Sequence, residues 1–334
     1  MASAEVDTSA LPIIDLRNTS NAEGEMAEVA KLRKACLESG FFYVIPAEDH
    51  HKEGGLVDST FAATRDFFKL PMEVKMRTAA TKDAPRGYTP YQSETLDPAT
   101  QKEGDTKEGF YLGRELEADE PENPIERRDG NKWPDESAIP HFRRAMQAYH
   151  AALHETGKHI VDLLGLALDL GRAYFNPYFT HPMETLRLVH YFERKSQPEE
   201  GLLACGAHCD YGMITILLTD GVPGLEVFLP GRGEGGADGG WVAVPHVPGA
   251  YIVNLGDMLQ QWTNGMFRST LHRVVNRHGK ERYSIPFFIE PNFNAVVECL
   301  SSCLTKDRPE PRHPPIKAGD YLLAKYAATY KDRK

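Results

Sequence analysis

Three side chains in the second half of the chain have the types and spacing to hold a metal. In His208-Cys209-Asp210 an imidazole and a carboxylate stand two residues apart. On a strand edge, period-two alternation puts His208 and Asp210 on one face and Cys209 on the other. Their donor atoms then converge on one point. His272, in the later run LHRVV, is separated from Asp210 by 61 residues. It completes the set if the fold brings distant strands face to face. Two imidazoles and one carboxylate on one side of a metal leave three positions open. Such a site suits iron(II) chemistry in which a co-substrate and O2 must both reach the metal. The same ligands could also hold a catalytic zinc. With 13 His and 48 acidic residues, a pairing of this kind also arises by chance, so a second feature is needed.

Arg282-Tyr283-Ser284, ten residues after His272, supplies it. Alternation puts Arg282 and Ser284 on one strand face, which continues to Pro286 and Phe288. An arginine pointing into an apolar barrel is costly unless it meets an anion. A guanidinium fork grips a carboxylate through two hydrogen bonds, and a serine hydroxyl can add a third. The pair therefore reads as a dock for a substrate or co-substrate carboxylate. In Arg187-Leu188-Val189-His190-Tyr191, alternation puts Arg187, Val189 and Tyr191 together. Tyr191 could donate to the same anion, and Arg187 could reach a substrate. Tyr88 and Tyr111 fall in segments read as loops over the barrel mouth, where either could line a substrate pocket. Cys299 and Cys303, like Cys205 and Cys209, lack further ligands nearby and read as unrelated thiols.

The elements that must position these groups change character along the chain. LPIIDL at 11–16 reads as a first strand and FFYVI at 41–45 as a second. Helical spacing runs over 25–39, with Gly40 as its stop, and over 59–70 before Pro71. Segment 77–138 reads as loops with short ordered pieces at 86–88 and 107–113. A long helix is predicted over 139–170. Its apolar stripe is Phe142, Met146, Tyr149, Leu153, Ile160 and Leu164, broken by one spacing of seven. After residue 180, short β-rich runs alternate with turns: LRLVHY, MITILL, GLEVF, WVAV, AYIVNL, LHRVV and RYSIPFFI. Many short strands without intervening helices indicate a sandwich or jelly roll. The expected class is mainly β with helices (α+β). The expected segments are 1–115, 116–180, 181–300 carrying the site, and a helical C-terminal tail at 301–334 near the pocket.

Bulk properties exclude several function classes. The chain has 334 residues, 41% hydrophobic, with a formal net charge of −10. An acidic chain without a basic block is repelled by nucleic acid and by anionic membranes. No apolar run reaches the roughly 18 residues of a membrane span. The start, MASAEVDTSALPIIDL, lacks the basic and apolar regions of a secretory signal. Five scattered cysteines argue for a reducing compartment, and the expectation is a cytoplasmic monomer.

Taken together, AHCDYGMITILLTDGVPGLEVF, NLGDMLQQWTNGMFRSTLHRVVN and RYSIPFFIEPNF resemble the plant-type family of 2-oxoglutarate- and iron(II)-dependent dioxygenases, which includes isopenicillin N synthase. In the N-terminal half, LPIIDL, ACLESGFFYV, FFKLPMEVK, RGYTP, KEGFYLG and NKWPDE resemble that family's successive landmarks, so the likeness spans about 11–326. It implies a double-stranded β-helix (jelly-roll) core. It puts His208, Asp210 and His272 on the iron ligands, and Arg282, Ser284 and Tyr191 on the residues that grip 2-oxoglutarate. It puts Phe288 and Arg187 on the substrate pocket. It implies iron(II), 2-oxoglutarate and O2, with ascorbate as a reductant. The reaction would hydroxylate, demethylate or desaturate a small molecule of secondary metabolism, releasing succinate and CO2. There are departures. Pro46-Ala47-Glu48-Asp49-His50 stands where many members carry Asn-His-Gly, and Val189-His190-Tyr191 where many carry Asn-Tyr-Tyr. The Gly-rich stretch 231–240 is longer than usual. Two other readings stay open: an iron oxidase of the same fold that uses no 2-oxoglutarate, and a non-catalytic small-molecule-binding protein.

Overall fold

The computed structural model describes residues 11–81, 84–117, 120, 123–126, 130–231 and 239–329. The Gly-rich stretch expected to form a long surface loop lies mostly outside them. The N-terminal segment gives strand β1 (Ile13–Asp15), helix α1 (Ala22–Glu38) and strand β2 (Phe41–Ile45), then helices α2 (Leu56–Phe68) and α3 (Met72–Met76). The segment read as loops holds two strands, β3 (Gly87–Thr89) and β4 (Lys107–Gly113), before the long helix α4 (Phe142–Ala167). Strands β5 (Pro182–Tyr191), β6 (Cys205–His208), β7 (Ile214–Thr219), β8 (Leu225–Leu229), β9 (Gly240–Ala243) and β10 (Tyr251–Leu255) follow. Helix α5 (Asp257–Trp262) comes next, then β11 (His272–Val274) and β12 (Arg282–Asn292). The chain ends in a small hairpin, β13 (Val296–Val297) with β14 (Ile316–Lys317), and helix α6 (Ala318–Thr329).

The strands from 182 to 292 divide four and four between two sheets. The larger has the order β1-β2-β10-β7-β12-β5-β4-β3, the smaller β6-β11-β8-β9. Apart from the β8–β9 hairpin, strands consecutive in sequence over 182–292 cross between the sheets, as the expected jelly roll requires. The larger sheet is shared: β1 and β2 extend one edge, β3 and β4 the other. KEGFYLG pairs along its length with β5, so its apparent lack of pattern reflects burial on both faces.

One face of the larger sheet packs on α1, α2 and α4. Leu186, Leu188, Ile214, Ile216, Ile285, Phe287 and Ile289 are buried there with the whole apolar stripe of α4. Each such side chain contributes about 1.5–3 kcal/mol. The spacing of seven in that stripe has a physical cause. Between Leu153 and Ile160 stand Thr156 and Gly157, both buried. A Cβ on Gly157 would come within 2.0 Å of Ile289 Cδ1, so the gap in the stripe receives a strand side chain. The opposite face looks toward the smaller sheet. It carries Thr215, Ser284, Phe288, Arg187, Tyr191 and Asn254 by alternation, and it lines the site.

Candidate functional site

In the smaller sheet His272 pairs directly with His208, so residues 64 positions apart become cross-strand neighbours with ring centroids 4.3 Å apart. Asp210 follows β6. Its Oδ1 lies 3.7 Å from Nε2 of each histidine. One donor atom from each of the three groups falls within 4.8 Å of the others. Both imidazoles are oriented from behind. Nδ1 of His208 donates to Gly206 O at 2.9 Å, and Nδ1 of His272 to Thr270 O at 3.0 Å. A carbonyl only accepts, so each Nδ1 carries the proton and each Nε2 keeps a free lone pair aimed at the common point. Oδ2 of Asp210 accepts from Thr215 Oγ1 at 2.6 Å and Asn254 Nδ2 at 2.7 Å, which leaves Oδ1 to face the imidazoles.

The electrostatics suit a cation. Burial alone would raise the Asp210 carboxyl. The two imidazoles and the bonds from Asn254 and Thr215 outweigh it, and the group is held below its ordinary range. Burial, with His208 beside it, drives His272 down to about 4, so its ring is neutral near pH 7. Two imidazoles and one carboxylate form a donor set that fits iron(II), with positions left over for other ligands. Phe41 closes one side, its ring edge-on to His272 at 5.3 Å.

Arg282 sits on the larger sheet, 1% exposed. Its Nε donates to Val222 O at 3.1 Å and its guanidinium lies 4.8 Å from the Tyr191 ring centroid, opposite in register. Nη1 is buried with no hydrogen-bond partner among the described residues. A buried guanidinium arm left unanswered by the protein is costly, and an anion is the group that would answer it. Ser284, 2% exposed, stands two residues along the same face and interacts with Tyr191.

The residues expected near the substrate divide. Phe288 lies on the Arg282 face, opposite Thr215, which supports Asp210. Arg187 and Tyr111 are cross-strand neighbours, the guanidinium 4.5 Å from the ring centroid. Tyr111 lies in β4, not in a loop. Sequence reasoning missed what holds this wall. Glu94 pairs with Arg187 and accepts from Tyr111 Oη at 2.9 Å. Lys107 lies 3.5 Å from Glu94 and pairs closely with Asp105. Tyr88 is a correction. It lies in β3, fully buried on the helix-facing side, where it donates to Glu108 and packs near Phe67 and Lys75. Asn254 was also missed, although a lone polar residue in the apolar run YIVNL was a usable signal.

Two family models match. One, described as non-haem dioxygenase in morphine synthesis N-terminal, covers residues 11–136, and the 2OG-Fe(II) oxygenase superfamily covers 183–291. Azadirone synthase LFS of Melia azedarach is 35% identical over 95% of this chain and 92% of its own length. A 2-oxoglutarate-Fe(II) type oxidoreductase of Aspergillus fumigatus is 37% identical over 91% of this chain and 88% of its own. The chain belongs to the 2-oxoglutarate- and iron(II)-dependent oxygenase family. Solved structures agree. A putative 2OG-Fe(II) oxygenase family protein of Caulobacter crescentus superposes with TM-score 0.81 at 28% identity, covering 96% of this chain and 99% of that one. A Neurospora crassa protein in complex with alpha-KG and thymine gives TM-score 0.81 at 27% identity, covering 98% of this oxygenase and 100% of that chain. The oxygenase is thus an oxidoreductase of small metabolites that uses iron(II), 2-oxoglutarate and O2.

Proposed function

We propose that His208, Asp210 and His272 hold the iron, that Arg282, Ser284 and Tyr191 hold the far carboxylate of 2-oxoglutarate, and that Phe288, Arg187 and Tyr111 face the substrate. Iron held there would supply the redox chemistry of the family, in which succinate and CO2 leave and the substrate is oxidised by two electrons. The chain's part is positional. The Gly206 and Thr270 carbonyls keep both Nε2 atoms turned to the metal. Thr215 and Asn254 keep Asp210 from rotating. Arg282 neutralises a carboxylate in a dry setting where the charge would otherwise be costly. Phe41 and Phe288 keep water from the reacting centre. The wall of β4 and β5 answers Lys107 and Arg187 with Asp105 and Glu94, which favours an uncharged substrate.

The observation that carries this reading is the orphaned Nη1 of Arg282 on the face that looks toward the triad. The test is anaerobic. Iron(II) and then 2-oxoglutarate are added to metal-free protein, and the visible charge-transfer band of the chelate is followed. It should form in wild type and be lost in Arg282→Ala at moderate 2-oxoglutarate. Iron binding without the band would assign Arg282 to the substrate's own carboxylate. Hydroxylation, demethylation and desaturation are then separated by the products of a small-metabolite screen. We further read the oxygenase as a cytoplasmic monomer without nucleic-acid or membrane partners. The net charge of −10 speaks against nucleic-acid and anionic-membrane partners, and no helix among the described residues is long and apolar enough to cross a membrane. A dimer mass in light scattering would sink the monomer.

A further inference from the structure

Strand β12 sorts its side chains by face. Tyr283, Ile285, Phe287 and Ile289 enter the helix-facing core, while Arg282, Ser284, Pro286, Phe288 and Glu290 face the chamber. Arg282 and Glu290 stand at opposite ends, about 26 Å apart along an extended strand. Phe288 and its neighbour Thr215, which supports Asp210, lie between them.

Glu290 is anomalous. It is 5% exposed, no described residue gives its carboxyl a hydrogen bond, and its oxygens are not among the fully enclosed unpaired atoms, so they keep a narrow access to open space. The charged groups that act on it are Asp210, Glu126 and Glu184, all acids. Burial comes first, and those three add to it, in raising its carboxyl well above the ordinary range. It is not part of the ligand cluster, which comprises His208, Asp210 and His272. Its room is made by Gly212, two residues after Asp210, where a Cβ would stand 2.1 Å from Glu290 Oε1. A buried carboxyl with neither cation nor donor costs stability and does nothing for the fold. Such groups occur where a ligand brings the missing partner.

We propose that Glu290 is the polar recognition point for the substrate: its carboxyl takes an N–H or O–H of the molecule placed beside Phe288 for oxidation. This rests on the reading of the chamber as the substrate site of the oxygenase. Phe288 would offer an apolar surface to the body of the substrate, and Glu290 would fix which way round it lies. The substrate class is then an uncharged molecule with a hydrogen-bond donor at one end, not a pure hydrocarbon and not an anion.

The test uses the full chain loaded with zinc(II) and 2-oxoglutarate, with fragment pairs as probes: 2-pyridone and 1-methyl-2-pyridone, phenol and anisole, indole and 1-methylindole. Ligand-observed NMR measures each affinity in wild type, Glu290→Gln and Glu290→Leu. Wild type should hold the donor-bearing member of at least one pair about 10-fold more tightly than its methylated partner. Glu290→Leu should reduce that preference to about 2-fold or less. Glu290→Gln and Glu290→Leu should both keep the iron(II)–2-oxoglutarate band and melt a few degrees higher than wild type, because an unanswered buried acid is gone. Methylated fragments binding as well as their donors in wild type, a preference that survives in Glu290→Leu, or a lower melting temperature in Glu290→Gln would each overturn the proposal. Absence of the band in wild type, read before any fragment is added, would instead count against the iron and 2-oxoglutarate reading.

Discussion

At the scale of single residues, the site works through side chains that do not themselves meet the metal. Asn254 and Thr215 hold Asp210 Oδ2 and so decide which oxygen faces His208 and His272. Groups that orient ligands in this way are usually worth 10–100-fold in metal affinity. Asn254→Leu is therefore expected to weaken iron(II) binding by about that factor in a chelator competition, with the fold intact by circular dichroism. An unchanged affinity would show that Thr215 alone orients Asp210. Arg282→Lys keeps the charge but loses the fork, and the stacking on Tyr191 goes with it. Its 2-oxoglutarate affinity should fall by about 10-fold or more, read from the titration of the visible band.

At the scale of elements, two of the contacts between α4 and the larger sheet can be tested singly. Gly157 admits Ile289, so Gly157→Val should overpack the interface and cost about 1–3 kcal/mol in a denaturant titration. Pairing it with Ile289→Ala should recover part of that loss, since the two changes share one contact. The second point is His154, whose Nδ1 lies 2.6 Å from Glu184 Oε1 on β5. That hydrogen bond, against the opposing effect of burial, raises the histidine above its ordinary value. A raised histidine stabilises fully below its unfolded value of about 6.5, and the contribution is lost as pH rises through the folded value. The melting advantage of wild type over His154→Asn should thus be largest below about pH 6.5 and fade in alkaline buffer. An advantage that grew with pH would reverse the sign and exclude the assignment. His154 is a third exposed, so the effect is screened.

At the scale of the whole molecule, the triad draws its ligands from two chain segments, 208–210 and the strand of His272, with Asp210 braced by Thr215 and Asn254 of the larger sheet, and the unfolded chain cannot assemble it. Metal and co-substrate should therefore stabilise the fold by mass action, about 2.7 kcal/mol at a hundredfold excess over the dissociation constant. Iron(II) with 2-oxoglutarate should raise the anaerobic melting temperature of wild type by several degrees, and leave Asp210→Ala unmoved. A shift retained in Asp210→Ala would mean that the ligands bind elsewhere.

What the sequence determined by itself was local. Period-two alternation set which of Arg282, Tyr283 and Ser284 share a face, and the types and spacing of His208, Asp210 and His272 offered a metal site open to iron or zinc. The full string of motifs also pointed to the fold. These features survive in one dimension because each depends on a few consecutive residues and on backbone geometry that every strand shares. What only the tertiary structure decided was non-local. Tyr88 turned to the helices because of its pairing with Phe110 in β4. Arg187 met Glu94, 93 positions away, and Asp210 met Asn254, 44 positions away. Glu290 reads in sequence as one more acid beside a strand. Its isolation is the absence of a partner, and a partner can be found missing only once every neighbour has been placed.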